Sequence, residues 1–318
     1  MGDQYKQLTL KERIKIEMLH EDGHSAREIA EKLKRSNASI SKELRPYKDG
    51  QYCAEIAHHE AQLRRQSASK FTKCTEAVRE LTHAFLTLGF SPEQISGRMT
   101  MEGVTQAVSC NTLYNFVKKL GWQHRLARKG KPYRKKTPVT AGVKLIPNRV
   151  DISERPAIVD EKKEVGHWEG DTVYGQDGYF VTMVERVSKI LVTVRVKNKT
   201  KKEVTKALIK MMKPYRSLCK TITFDNGGEF AGHAKISKAL KCSVYFAKPY
   251  HSWERGLNEN TNGLLRRMFP KGMCFSSLTT KEIERAQILI NMRPRKTLNY
   301  LSPYEFLTGK RVSLIAAI

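Results

Sequence analysis

Hydrophobic residues recur along this chain with a helical period to about residue 121. They lose any period between 123 and 156, then fall into short apolar and alternating runs from about Val165. The first 45 residues read as three short helices. In LTLKERIKIEMLHEDG, Ile14, Met18 and Leu19 fall on one face and Gly23 stops the helix. Ser25 caps the next segment, SAREIAEKLKR, and Glu28 completes a capping box. Ser36 caps a third, NASISKEL, with Ile40 and Leu44 turned inward. Two short helices, a tight turn and the small Ala30 at their crossing predict a helix-turn-helix. Lys34 stands near the place where such turns often carry Gly; a left-handed lysine there costs about 1–2 kcal/mol.

Residues 50–70 continue helical and end in a basic, Ser-containing stretch. A second helical block runs from about Thr75 to Gly121. Within it, SPEQISGRM has Ser91 as N-cap, Pro92 at the first helical position and Gln94 closing the box. Ser109 caps VSCNTLYNFVKKLGW, and the pair predicts a second helix-turn-helix. The stretch from Gln123 to Pro156 is crowded with Arg and Lys and broken by Pro132, Pro138, Pro147 and Pro156. It reads as an extended linker.

HWEGDTVYG, YFVTMVERV and ILVTVRVKN then read as three consecutive strands. An amphipathic helix follows, KKEVTKALIKMMKPY, with Val204, Leu208, Met211 and Met212 inward. CKTITFDN is a buried strand, GEFAGHAKISKAL a helix, CSVYFA a strand, and two further helices surround ENTNGLLRRMF and TTKEIERAQILINMRPR. The fold class predicted is multidomain: all-α helix-turn-helix domains followed by an α/β domain whose element order is ribonuclease H-like. The boundaries are 1–48 for the first helix-turn-helix, 49–122 for the helical region with the second, 123–160 for the basic linker and 161–318 for the α/β domain.

Charge adds a partner to this outline. Fifty-eight Lys and Arg against 32 Asp and Glu leave +26, which points to a polyanion, since each cation placed on a phosphate releases counterions. On the predicted recognition helices, Asn37, Ser39, Lys42 and Arg45 from the first, and Asn111, Thr112 and Lys118 from the second, would meet bases or phosphates. Arg128, Lys129, Arg134, Lys135 and Lys136 in the linker would track a DNA backbone. Six cysteines without a C-x-x-C argue against a zinc ribbon or a disulfide framework; Cys53, His58, His59 and Cys74 match no standard zinc spacing. No apolar run approaches a membrane span. The expectation is a soluble intracellular protein of a reducing cytosol, with no membrane partner.

Three acidic residues stand out from this basic background: Asp171 in GHWEGDTVYG, Asp225 in TITFDNGGEF and Glu259 in ERGLNENTNG. Two lie on strands and one on a helix. Such carboxylates, once brought together, can hold two divalent cations that move a phosphodiester by in-line displacement. Glu259 shares its helix face with Asn262, suited to orienting a water or a metal ligand, and Arg266, suited to a phosphate. Spacing alone leaves rivals. Glu169 alternates onto the same side as Asp171, and Glu229, Glu254, Asp177 and Glu185 are also available.

The segments ISERP, GHWEGD, DNGGEF, PYHSWERGLNENTNGLLRRMFPKG and INMRPRKTLNYLSP resemble transposases of the insertion sequence 30 family, of the DDE superfamily. The likeness runs nearly end to end and includes SAREIAEKL with ISKEL. It implies that Asp171, Asp225 and Glu259 are the catalytic, metal-holding set, with 33 residues between the second and third. It further implies two Mg²⁺ ions, with Mn²⁺ able to substitute. The DNA partners implied are the element's terminal inverted repeats and a target duplex, held by a homodimer or larger assembly. Asn37, where Pro is frequent in the family, departs from the pattern. The rival functions are a helix-turn-helix transcriptional regulator with an inert core and a structure-specific nuclease of the same fold.

Overall fold

The computed structural model describes residues 7–47, 51–67, 73–105, 107–131, 146–248 and 256–315. The chain divides into two compact units, Met1–Thr72 and Lys73–Ile318.

The first unit contains α1 (Leu10–Glu21), α2 (Ala26–Leu33), α3 (Asn37–Leu44) and α4 (Ala54–Ser67). The Ser25–Glu28 capping box starts α2, Ser36 caps α3, and Lys34 closes α2 in the left-handed conformation at φ 52°. Ile29, Ala30 and Ile40 form the core with Ile16 of α1 and with Tyr52, Ala54 and Ala57. Two expectations change at this point. The inward face of α1 is Arg13, Ile16 and Leu19, while Ile14 and Met18 are exposed. Arg13 is buried because its guanidinium reaches Glu43 of α3 at 2.6 Å and donates to the Leu8 carbonyl, so a charged position belongs to the core face. Moreover, α4 packs on α1 and closes the same core, so the first domain does not end at residue 48.

In the second unit, α5 (Glu76–Thr87), α6 (Pro92–Met101) and α7 (Cys110–Lys119) build their own core from Phe85, Ile95, Met99, Leu113 and Val117. The Ser91–Gln94 box and the Ser109 cap start α6 and α7. This module is fastened to the end of the chain. Buried Arg98 of α6 makes a bidentate pair with Glu305 at 2.8 Å, and Gln94 donates to the Pro294 carbonyl.

The rest is one mixed sheet with helices on both faces. After α8 (Ile158–Glu161) come β1 (His167–Tyr174), β2 (Tyr179–Glu185), β3 (Leu191–Val196), α9 (Lys201–Met212), β4 (Thr221–Phe224), α10 (His233–Leu240) and β5 (Ser243–Phe246). Then follow α11 (Gly256–Met268), α12 (Thr280–Asn291) and α13 (Pro303–Thr308). The strand order is β3-β2-β1-β4-β5, antiparallel up to β1 and parallel beyond it, the ribonuclease H-like arrangement. Trp168, Ile222 and Phe224 face a core shared with α9 and α10; Val173, Phe180 and Val184 face one shared with α11 and α12. Gly170 belongs to the first face, where a Cβ would lie 2.2 Å from the Phe224 ring.

The segment expected to be linker is only partly so. Residues 132–145 lie outside the described residues, but Ile146 enters the α9/α10 core. Phe246 of β5 donates to the Val150 carbonyl, and Asp151 forms a parallel bridge with Phe246. Residues 146–151 therefore finish the β5 edge of the sheet; a contribution this short has no period to betray it.

Candidate active site

The parallel pairing of β1 and β4 sets Glu169 opposite Thr223. Two residues further on come Asp171 of β1 and Asp225, the residue just after β4, and both carboxylates act on the Lys199 ammonium. Asp225 directly follows the carboxyl end of β4, and Asp171 lies beyond the stretch of β1 paired with it, the end of parallel strands at which ligands bind in open α/β sheets. Asp171 is half-buried; its Oδ1 accepts from the Thr172 amide at 2.8 Å and its Oδ2 from Asn262 Nδ2 at 2.8 Å. Asp225 accepts from the Gly227 amide at 3.0 Å.

Helix α11 lies over this pair, and two contacts fix it. The Asn258 amide in its first turn donates to Glu169 Oε2 at 3.3 Å, and Asn262 bonds Asp171. Glu259 is exposed in the same first turn, three residues before Asn262 and so on its face of the helix. Asp171 and Asp225 are thus brought to the same ammonium, while Glu259 lies on α11, three residues before the Asn262 that bonds Asp171. Among the described residues no three His, Cys, Asp or Glu side chains lie close enough to grip a metal ion.

The donor set nevertheless suits a hard cation, being all oxygen, and the site already accommodates positive charge. The Lys199 ammonium lies in the field of Asp225 and Asp171 and pairs with buried Glu229 at 2.7 Å. Burial disfavours the charged amine, but the bond to Glu229 and the charges of Glu229, Asp225 and Asp171 outweigh it and raise its pKa. Glu229 also accepts from Thr172 Oγ1 at 3.0 Å. Spacing left Glu229 as a rival ligand and did not reveal Lys199; their pairing across 30 residues has no sequence signature.

The other rivals are engaged elsewhere. Glu169 is buried and salt-bridged to Arg186 at 2.7 Å. Glu185 accepts from the backbone amides of Gly166, Val187 and Ser188, and Asp177 from those of Phe275 and Ser276. Glu254 lies outside the described residues. Arg266 stacks over the Tyr174 ring at 4.6 Å, with its Nη1 buried and unpartnered.

Of the expected DNA-contacting residues, Asn37, Lys42 and Arg45 are exposed on or just after α3, and Asn111 and Lys118 on α7. Ser39 and Thr112 are different. Each is half-buried, with its hydroxyl 2.8 Å from the capping serine, Ser36 or Ser109, so both are occupied in starting their helices. Arg128 and Lys129 are exposed; Arg134, Lys135 and Lys136 lie outside the described residues.

Comparison with known proteins agrees with this architecture. A helix-turn-helix domain model matches residues 4–45, and an integrase core domain model matches residues 161–252. The chain is 38% identical, over 94% of its length and 95% of the relative's, to the transposase for insertion sequence element IS4351 of Bacteroides fragilis. It is 32% identical to transposase InsI for insertion sequence element IS30A of Escherichia coli strain K12, covering 94% of this chain and 83% of that one. The chain belongs to the IS30 family of DDE transposases. The transposase for insertion sequence element IS1086 of Cupriavidus metallidurans is also 32% identical, over 95% and 94% of the two chains. As an IS30-family transposase it is a DNA-binding enzyme that cleaves nucleic acid, and its integrase core implies dependence on a divalent metal. Among the described residues no helix is long and apolar enough to cross a membrane.

Proposed function

We propose that Asp171, Asp225 and Glu259 are the catalytic carboxylates, and that they would hold two Mg²⁺ ions, with Mn²⁺ an effective substitute. The observation that carries this reading is that Asp171 of β1 and Asp225, just after the neighbouring parallel β4, both act on Lys199, while Asn262 of α11 bonds Asp171. Bound there, the cations would lower the pKa of a hydroxyl nucleophile and stabilise the leaving oxygen. The chain's own part is orientation. Asn262 fixes one Asp171 oxygen and thereby the rotation of α11, and Glu259, three residues earlier on the same helix, would complete the set. Lys199, already beside the carboxylates, would meet an incoming phosphate oxygen.

The reaction would be hydrolysis at the 3′ end of the element, followed by attack of the freed 3′-hydroxyl on a target phosphodiester. The exposed residues of α3 and α7 (Asn37, Lys42, Arg45, Asn111 and Lys118) would read the terminal inverted repeats. Two element ends have to be held at once, which calls for a dimer or larger assembly on DNA. Nearly full-length likeness to transposases, with all three carboxylates present, weighs against a regulator with an inert core.

Asp171→Asn, Asp225→Asn and Glu259→Gln each remove one negative charge and keep shape. Each is expected to abolish Mg²⁺-dependent nicking and strand transfer on an end-containing duplex, while leaving affinity for that duplex within about twofold by gel shift. Strand transfer retained by Glu259→Gln would show that another residue completes the site.

A further inference from the structure

Five arginines are buried among the described residues: Arg13, Arg98, Arg155, Arg186 and Arg293. Four have a carboxylate. Arg13 pairs with Glu43, Arg98 with Glu305, Arg155 with Asp160, and Arg186 with Glu169 and Asp160. Arg293 is the exception. It is 5% exposed, its Nε is buried without a hydrogen-bond partner, and the charges acting on it are two further arginines, Arg267 and Arg295.

The three cluster where the α5–α7 module meets the catalytic core. Arg293 is the most deeply buried, its guanidinium 5.6 Å from the centre of the Phe90 ring. Gly89 leaves room for it, since a Cβ there would sit 3.1 Å from Arg293 Nη2. Arg295 is partly buried, with its Nη2 on the Ile290 carbonyl and its Nε again buried and unpartnered. Arg267, in the last turn of α11, is exposed, and its charge acts on both of the others. Burial, and then mutual repulsion, push Arg293 down to about 9 and Arg295 down to about 10, and among the described residues no carboxylate opposes the shift. Both stay charged at neutral pH. Gathering buried like charges is costly unless an anion joins them, and guanidinium groups bind phosphate through paired N–H donors.

We propose that Arg267, Arg293 and Arg295 form an anion pocket that takes a backbone phosphate of DNA, outside the reacting phosphodiester. This rests on the reading above, in which Asp171, Asp225 and Glu259 of α11 hold the reacting phosphodiester. Arg267 follows Glu259 by eight residues, about 12 Å along the helix axis, or three to four nucleotides at 3.4 Å each. The pocket thus grips the duplex beside the reacting bond and carries no sequence information.

The test uses the full chain, with Arg267→Gln, whose exposed position spares the fold, and the double variant Arg293→Gln/Arg295→Gln. Melting is followed in sodium chloride and in sodium sulfate at matched ionic strength, and duplex affinity is measured against salt. Sulfate should raise the melting temperature of the unaltered chain more than that of either variant. Both variants should bind all duplexes three- to tenfold more weakly, with the slope of log K against log[salt] reduced by about one to two units. Equal sulfate responses and an unchanged salt slope would overturn the pocket. So would a loss confined to one duplex sequence, which is the mark of a base contact. The sulfate arm needs no catalysis, so it stands or falls independently of the carboxylate assignment.

Discussion

Glu169 and Asp171 stand two residues apart on one face of β1, and their surroundings give them different work. Asp171 is half-exposed beside Asp225 and Lys199; Glu169 is buried and joined to Arg186, which continues through Asp160 to Arg155 and Thr223 of β4. Its second oxygen receives the Asn258 amide, so this network seats the helix that carries Glu259. Glu169→Gln keeps the shape but leaves Arg186 short of a buried counter-charge, at a cost of about 3 kcal/mol. At roughly 2–4 °C per kcal/mol for a domain of this size, melting should fall by about 6–12 °C. Calorimetry on the variant checks this, and an unchanged melting temperature would show that the fold does not depend on the Glu169 charge. Alternation along HWEGD made both acids legible as candidates. It could not separate them, because Arg186, Asp160 and Asn258 reach Glu169 from three other segments. Arg13 misled in the same manner: the partner that draws it inward lies 30 residues away on α3.

At the scale of elements, capping chemistry was the most legible feature. Ser25, Ser36, Ser91 and Ser109 all start the helices their sequences announce, because a cap is satisfied within three residues. Sheet edges were the least legible. The β3 edge is covered by α12, whose Asn291 side chain accepts from the Leu191 amide and donates to its carbonyl, both at 2.8 Å, while Gln287 accepts from Thr193. Two side-chain amides on a helix thus replace a sixth strand. Asn291→Ala should leave both Leu191 groups without partners, costing about 2–4 kcal/mol and opening an edge for intermolecular pairing. The expected outcome is a lower urea midpoint together with concentration-dependent light scattering on warming. A midpoint within error of the parent would mean that the edge needs no such cover.

Across the whole molecule, the two helical modules differ in what completes them. The first closes its core within residues 8–57; the second depends on the far end of the chain through Arg98, Glu102 and Glu305. Burial alone would raise the Glu305 pKa, but the Arg98 guanidinium, the Ser302 and Val312 amides and the Ser302 hydroxyl overcome it and bring it down to about 2. A carboxylate depressed below its unfolded value stabilises at pH above about 4.5, and that contribution is lost as pH falls toward 2. At 1.36 kcal/mol per pKa unit this is about 3 kcal/mol. Urea unfolding of the parent and of Glu305→Gln should therefore differ most at neutral pH and converge near pH 2; a constant difference would assign the loss to packing.

The length of chain between those partners also sets a schedule. Arg98 and Glu305 are 207 residues apart. At roughly 5–20 residues per second, a ribosome needs about 10–40 s to travel from one codon to the other. The first helix-turn-helix has all of its core residues early in that journey. The second module waits for Glu305, and it reaches its locked form only after the strands and helices of the catalytic core that lie between the two partners have been made.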